Sequence, residues 1–209
     1  MPEKLDFKKV YQDLYLPKNK PVLIKVPAIN FIMVDGHGDP NGAEYHDAVG
    51  ILYALSFSIK MSKMGGNQPE GYFDYVVPPL EGLWGCEGNG YDPEHRNTWS
   101  WTSMIRQPDF VTQEVFDWAC KQAEKKKPEL DFTKARLAGY DEGDCVQIMH
   151  IGPFSTEPDS IEQIDQFIRE SNLIDDCGER RHHEIYLSDP RKCAPERMKT
   201  VLRHPVIQK

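Results

Sequence analysis

The sequence predicts an α+β protein made of two strand–helix–strand–strand units, related by a pseudo-two-fold, with antiparallel sheets and helices on one face. Two observations predict this duplication: the order of elements is the same in both halves, and short residue patterns recur at matching places. "LEGLW" at 80–84 resembles "HEIYL" at 183–187, and "TSMIRQP" at 102–108 resembles "KTVLRHP" at 199–205. The separation along the chain between the matching segments differs by six residues from one pair to the other. A longer hairpin loop in the first half would account for this difference.

The first half begins after a polar N-terminal arm. The segment at 21–42 reads as two short strands that end in the glycine-rich turn "GHGDPNG". A helix follows over 43–61, because apolar residues recur there at helical spacing, and "GYFDYVVPP" at 71–79 reads as a strand. A loop, "CEGNGYDPEHRN" at 86–97, then leads to a strand with alternating tryptophans, and Thr112 is suited to cap a second helix.

The second half repeats the plan. A strand at 144–151 leads through a Gly-Pro turn to an amphipathic helix that begins near 160, and two strands close the chain. We therefore expect an arm at 1–29 and one domain at 30–209, with repeats at about 30–127 and 133–209. Ile185 and Leu187 should face the helix, and the opposite face should be open, so that two such units line a groove.

Composition excludes several classes of function. The chain has 209 residues, 39% of them hydrophobic, and a formal net charge of −8. The acidic balance argues against nucleic acid or an anionic membrane as a partner. Neither a signal peptide nor an apolar run of membrane-spanning length is present, so a cytoplasmic protein is expected, either a monomer or a homodimer.

The cysteines indicate reduced thiols. There are five of them, which is an odd number, and none forms a C-x-x-C pair. A zinc site at Cys177, His182 and His183 is conceivable, but it lacks the tight ligand pairs of such sites. We expect neither a metal nor an organic cofactor. The absence of nucleotide-binding, G-x-S-x-G and H-E-x-x-H motifs argues equally against nucleotide binding, acyl transfer and metal-dependent hydrolysis.

The most informative site candidates lie on the strand "HHEIYL". Glu184 and Tyr186 share one strand face, and a carboxylate in an apolar cleft attracts a cationic ligand or acts as a general base toward water. A solvated acid on a wet sheet face is the alternative. His183 lies next to Glu184, and Glu81 is the expected counterpart of Glu184 in the other repeat, so both are candidate ligand-binding residues. The two acids are expected to meet at the groove between the units.

Aromatic residues form the second set of candidates. Trp84, Trp99 and Trp101 belong to one predicted hairpin, and rings on an open face would bind planar ligands, with cation–π attraction for charged ones. Core packing is the competing explanation for each of them. Tyr53 lies on the first helix, where it either packs or reaches the cleft.

Four ordered segments resemble one known family. "HEIYLSDPRKCAPERMKTVLRHPV" is similar to the C-terminal signature of GyrI-like small-molecule-binding proteins, the effector-binding domains of AraC- and MerR-type regulators. "VDGHGDPNGAEYHDAVGILYALSFSIK", "PLEGLW" and "WTSMIRQPDF" resemble the stand-alone branch of that family. The resemblance covers the chain from about Asn30 onward, and the first thirty residues are too short for a helix-turn-helix domain.

The resemblance implies a function as well as a fold. Such proteins bind bulky planar, often cationic, organic molecules in a central aromatic cleft, and the stand-alone branch includes hydrolases that open cyclopropanoid DNA-alkylating compounds. The expected activity is therefore detoxification, with water activated by Glu184 and with support from Tyr186. The alternative is a non-catalytic protein that sequesters or senses drugs without a DNA-binding domain.

Overall fold

The computed structural model describes residues 4–86 and 95–209, and most of the predicted loop at 86–97 therefore lies outside the described residues. The helices are α1 (Phe7–Val10), α2 (Gln12–Tyr15), α3 (Ala43–Lys60), α4 (Gln113–Lys126), α5 (Glu157–Glu170) and α6 (Cys177–Arg180). The strands are β1 (Val22–Val26), β2 (Ile29–His37), β3 (Leu80–Cys86), β4 (Trp99–Arg106), β5 (Ala135–Tyr140), β6 (Gly143–Ile151), β7 (Leu173–Asp175), β8 (His182–Tyr186) and β9 (Lys199–Gln208).

The chain divides into two compact units, each of them discontinuous in sequence. The described residues of unit 1 lie within Met1–Val10, Ile29–Pro78 and Cys86–Tyr140, and unit 2 comprises Tyr11–Ala28, Pro79–Gly85 and Asp141–Lys209. These boundaries differ from the contiguous repeats that the sequence predicts. The predicted N-terminal arm supplies β1 to the sheet of unit 2, and β5, which the sequence analysis did not identify, belongs to the sheet of unit 1.

Unit 1 is an antiparallel sheet in the order β5-β2-β4, with α3 packed on one face. The apolar positions that predicted α3 are all buried: Ala48, Ile51, Leu52, Leu55 and Ile59. Thr112 caps α4 as predicted, because its side chain accepts a hydrogen bond from the Val115 N–H at 3.4 Å. The α+β class, the antiparallel strands and both long helices are therefore confirmed for this unit.

Unit 2 holds the antiparallel order β1-β6-β9-β8-β3, and β7 pairs separately with β9. α5 lies across one face of this sheet. Its Ile164 and Ile168 join a buried apolar cluster with the strand residues Val146, Ile148 and Leu202. Helix and sheet residues of this kind are the main source of hydrophobic stabilisation in a small unit.

The orientation of β8 is the reverse of what the sequence analysis predicts. Glu184 lies opposite Leu202, a residue of the α5 cluster, so Glu184 and Tyr186 are on the helix side of the sheet. Ile185 points to the other face of the sheet and is buried there. That face is not open, because α2 lies against it. Periodicity shows which residues share a face, but it does not show which face the helix covers.

The segment at 71–79 does not form the predicted strand. Its described residues make only an isolated bridge between Tyr75 and Leu5. Gly71 has a φ of 74°, and Pro78 and Pro79 have no N–H to donate to a strand ladder. Tyr75 is nevertheless fully buried, in an aromatic cluster with Phe7, Tyr72, Phe73 and Phe110.

Within the described residues, every helix is too short or too polar to cross a lipid bilayer.

Candidate functional site

Glu184 lies half-buried near the middle of β8, on the face that carries α5. Its side chain is 14% exposed, and its Oε1 is 3.2 Å from Nε2 of His182, two residues away on the same strand face. Burial lowers the pKa of His182, while the contact with Glu184 acts in the opposite direction. The net effect favours neutral His182, so the negative charge of Glu184 is not matched by a full positive charge at this contact.

A second carboxyl group, which the sequence did not point to, interacts electrostatically with Glu184. Glu157 is the first residue of α5 and is 8% exposed, and its Oε1 has no hydrogen-bond partner among the described residues. Burial, and then the charge of Glu184, raise the pKa of Glu157 to about 9. At neutral pH, Glu157 is therefore a protonated acid beside a negatively charged group.

Aromatic rings border this pair of acids. The Nε1–H of Trp84 donates a hydrogen bond to the Tyr186 hydroxyl at 2.9 Å, and the Phe154 ring meets Tyr186 edge-on with centroids 6.1 Å apart. Gly82 lies beneath that hydrogen bond, and a Cβ at position 82 would come within 2.8 Å of Trp84 Nε1. The glycine is thus required for the close approach of the indole to the strand.

This arrangement can combine three chemical functions. A partly exposed face of aromatic rings binds flat apolar molecules, a carboxylate attracts cations or accepts a proton from water, and a neutral carboxylic acid donates one. Two acids with separated protonation states are a recurrent feature of acid–base sites. Among the sequence-predicted residues, the structure brings together Glu184, Tyr186 and Trp84.

Glu81 and His183 lie on the opposite face of the same sheet. Glu81 pairs in register with Ile185, whereas Glu184 pairs with Gly82, so the two acids point to opposite sides. The prediction that Glu81 and Glu184 meet in one groove is therefore wrong. A residue offset between repeats cannot determine the register with which their strands pair.

Glu81 and His183 are instead parts of a closed ionic network. The two nitrogens of His183, which is 1% exposed, lie 3.0 Å from Glu81 and 2.9 Å from Glu142. Arg203 donates to Glu142 at 2.8 Å and to the Leu14 carbonyl at 2.9 Å. These contacts link the sheet to α2.

The charges within this network stabilise one another. Burial acts against a charged His183, but Glu142 and Glu81 outweigh it and raise its pKa to about 9. Burial likewise disfavours ionised Glu142, yet His183 and Arg203 lower its pKa to about 2. Buried ions are tolerated when they are paired and hydrogen-bonded in this way, so we interpret the network as structural.

The remaining predicted residues belong to unit 1. Trp101 is buried, meets Tyr45 of α3 edge-on at 5.0 Å, and lies across Gly36, where a Cβ would clash with the indole. It is a core residue, so the prediction of an open platform is wrong for Trp101. Trp99 is half-buried, with the Arg96 guanidinium 5.6 Å from its ring. Tyr53 is exposed on α3 and stacks on Phe57.

Glu157 was missed because its environment is not a local property of the sequence. An acid in the first turn of a helix is common, since it complements the helix dipole, and it gives no functional signal by itself. Its importance comes from contact with β8, which follows it by more than twenty residues in the chain. Only an estimate of burial could have distinguished it from Asp159 in the same turn.

Comparisons with known proteins agree with this description of the fold. A protein from Listeria innocua described as uncharacterized and conserved is 55% identical, with a TM-score of 0.95 over 98% of this chain and all of the other. A hydrolase from the same organism is 52% identical, with a TM-score of 0.92 over the same shares. The EcmrR C-terminal domain is 10% identical, with a TM-score of 0.55 over 91% of this chain and 98% of the other, and it shares the fold alone. No curated protein matched.

The family comparison covers nearly the whole chain. Residues 19–206 match the family described as "GyrI-like small molecule binding domain", as the sequence motifs predict. The match includes both units, with β1 and the strands that carry Glu184 and Trp84. The chain belongs to the GyrI-like small-molecule-binding family.

Proposed function

We propose that the protein binds bulky, planar, largely apolar organic molecules around Glu184 and hydrolyses electrophilic cyclopropanoid compounds there, as a detoxifying enzyme. The observation that carries this proposal is the buried Glu157 carboxyl, whose Oε1 has no hydrogen-bond partner among the described residues and whose pKa is raised by burial and by the charge of Glu184, on a face with aromatic rings. Membership of a small-molecule-binding family supports the binding step, and the relatives at 52% identity described as hydrolases support hydrolysis.

Binding would use the rings and the charge together. Trp84, Tyr186 and Phe154 offer apolar area to a flat molecule, and Glu184 favours a ligand that carries a positive charge. Because Trp84 and Tyr186 are joined by a hydrogen bond, their rings are held in place before the ligand arrives, which reduces the entropy lost on binding.

Catalysis would use the two acids in complementary roles. Glu184 removes a proton from water, whose oxygen forms a bond to the ring CH₂ of the cyclopropane. The carbon–carbon bond of the strained ring breaks, and its electron pair moves into the conjugated carbonyl, whose oxygen becomes that of an enolate or phenolate. Glu157 donates its proton to that oxygen, and proton transfer from Glu184 restores Glu157, so the net reaction adds one water.

The experiment that tests this function is incubation of the protein with a cyclopropanoid alkylator and detection of the water adduct by mass spectrometry. Glu184→Gln should reduce turnover by 10²–10⁴-fold, which is the usual contribution of a general base. Glu162→Gln is the matched control, since Glu162 lies on α5 but is exposed and pairs with Arg169.

The non-catalytic alternative predicts a different result. A binder would protect the alkylator stoichiometrically without forming the water adduct, and Glu184→Gln would weaken binding of cationic ligands only. Adduct formation that is equal in Glu184→Gln and the wild type would contradict the proposed mechanism. Failure to bind either neutral or cationic planar molecules would contradict both functions.

A further inference from the structure

Three side chains of different chemistry converge near His182, and one of them, His204, meets the His182 ring edge-on. Asp175 ends β7, Cys177 follows it at the start of α6, and His204 lies on β9. One donor atom from each lies within 4.8 Å of the other two. A carboxylate, a thiol and an imidazole at such distances form a donor set that suits a borderline metal ion such as Zn²⁺.

The backbone around these side chains is held by its own contacts. β7 pairs with β9 in a register that places Asp175 opposite Val206, and the Asp176 N–H donates to the Pro205 carbonyl at 2.9 Å. Arg180 donates to the carbonyls of Glu142 and Val206 at 2.7 and 2.8 Å, which fixes α6 against the sheet. The donor atoms are therefore brought together by the fold and not by a flexible loop.

The carboxylate of Asp175 is already oriented. Its Oδ1 accepts the Cys177 N–H at 2.8 Å, and its Oδ2 lies 2.8 Å from Nδ1 of His204. Asp165, on α5, approaches the same nitrogen, with its Oδ1 at 3.9 Å. Asp165 lies outside the set of three close donors, and its carboxylate would have to move to supply a fourth ligand. A tetrahedral zinc ion with bonds of about 2.0–2.3 Å separates its ligand atoms by about 3.3–3.8 Å, so three donor atoms that lie within 4.8 Å of one another need side-chain shifts of only about 1 Å.

We propose that Asp175, Cys177 and His204 bind one zinc ion, with the fourth position taken by solvent or by Asp165 after a side-chain shift. Binding replaces the thiol S–H bond by a sulfur–zinc bond and releases one proton to solvent, with no change of oxidation state. The half-buried thiol and the exposed Asp175 leave a path for the ion to enter.

The position of the site suggests what the ion does. Zinc would join β9 to β7 and α6, which lie about thirty residues earlier in the chain, and so would stabilise unit 2. It would also orient His204, whose ring meets His182 edge-on with centroids 4.9 Å apart, and His182 contacts Glu184. This proposal does not depend on the proposed hydrolysis, since the candidate donors are distinct from Glu184 and Glu157.

The test uses the full chain after treatment with a chelator. Titration with Co²⁺ should give a thiolate-to-cobalt charge-transfer band and the visible bands of a tetrahedral site, and both should saturate at one ion per chain. Added Zn²⁺ should displace the Co²⁺ and remove both sets of bands. Cys177→Ser should abolish the charge-transfer band. Both Cys177→Ser and His204→Gln should weaken Zn²⁺ binding at least 10-fold. Cys120→Ser is the matched control and should retain the full signal, because Cys120 lies on α4 in unit 1.

Unfolding measurements separate loss of binding from loss of folding. Zn²⁺ should raise the melting temperature of the wild type and of Cys120→Ser, but not that of Cys177→Ser, whose circular dichroism should match the wild type. The proposal is overturned if Co²⁺ gives no charge-transfer band with the wild type. It is also overturned if Cys177→Ser keeps that band.

Discussion

Acidic side chains lie on both faces of the unit 2 sheet, but the positive charges that surround them differ between the two faces. On the face covered by α2, Glu81 and Glu142 are matched by His183 and Arg203, so two negative charges meet two positive ones. On the face covered by α5, Glu157 and Glu184 lack such a match within the described part of the chain: His182 contacts Glu184, and burial disfavours the charged form of that imidazole.

The difference indicates which face is structural and which is chemical. A matched network has its lowest energy when every member is charged and bonded, so a proton transfer within it is unfavourable. An unmatched pair of acids retains one proton that it can give to a ligand, at a cost in stability. Burial alone would not have separated the two groups.

The largest effect is expected from breaking the matched network. Arg203→Met leaves Glu142 buried without its guanidinium, and we expect a loss of about 3–5 kcal/mol in the free energy of unfolding. Denaturant unfolding measures this loss. Arg169→Met, on the exposed face of α5, is the control and should change the free energy by less than about 0.5 kcal/mol. A loss below 1 kcal/mol for Arg203→Met would contradict the structural interpretation.

Removing the unmatched acid should have the opposite sign. Glu157 has an ordinary pKa of 4.5 in the unfolded chain and about 9 in the fold, so folding becomes less favourable as pH rises from 4.5 through 9. Glu157→Gln removes this cost, and we expect a gain of up to about 4 kcal/mol at pH 8, since 3.5 pH units at about 1.36 kcal/mol each are partly offset by burial of the amide, and almost none at pH 4. Thermal unfolding at both pH values tests the expectation. Equal destabilisation at both would contradict it.

The matched network should show its own pH range once Glu157 is replaced. The pKa of His183 is raised from 6.5 to about 9, so its contribution is fully present below pH 6.5 and is lost as pH rises through about 9. In the Glu157→Gln background, the contribution of this network to the free energy of unfolding should therefore be constant between pH 5 and 6.5. It should fall by about 1–3 kcal/mol by pH 9.5. An unchanged stability up to pH 9.5 would argue against a charged His183.

The smallest effect concerns the aromatic wall. Tyr186→Phe removes the acceptor of the Trp84 Nε1–H and should weaken binding of a planar cationic dye by about 3- to 10-fold, equivalent to about 1 kcal/mol. Fluorescence titration of the dye gives the affinity. Tyr53→Phe is a control in unit 1 and should leave the affinity unchanged. A larger loss in Tyr53→Phe than in Tyr186→Phe would place the binding surface elsewhere.

Much of the secondary structure was predictable because its signals are local. The apolar spacing of α3, the Thr112 cap of α4 and the strand-forming residues of β6 and β9 depend on residues a few positions apart. The segment at 71–79 was misread because the bulky residues around Tyr75 favour a strand, while Gly71, Pro78 and Pro79 prevent a ladder. β5 and β7 were not predicted, because they form by pairing with strands distant in the chain.

Local patterns and ordered motifs were enough to predict the α+β class, the repeated order of elements and the family, and they indicated Glu184 and Tyr186. The folded arrangement was needed to show that Glu81 faces away from Glu184, that Glu157 lies near Glu184, and that Asp175 and His204 meet Cys177. Strand register, helix placement and burial arise from contacts between distant residues. Such contacts set the protonation and the pairing of each acid, and no spacing along the chain encodes them.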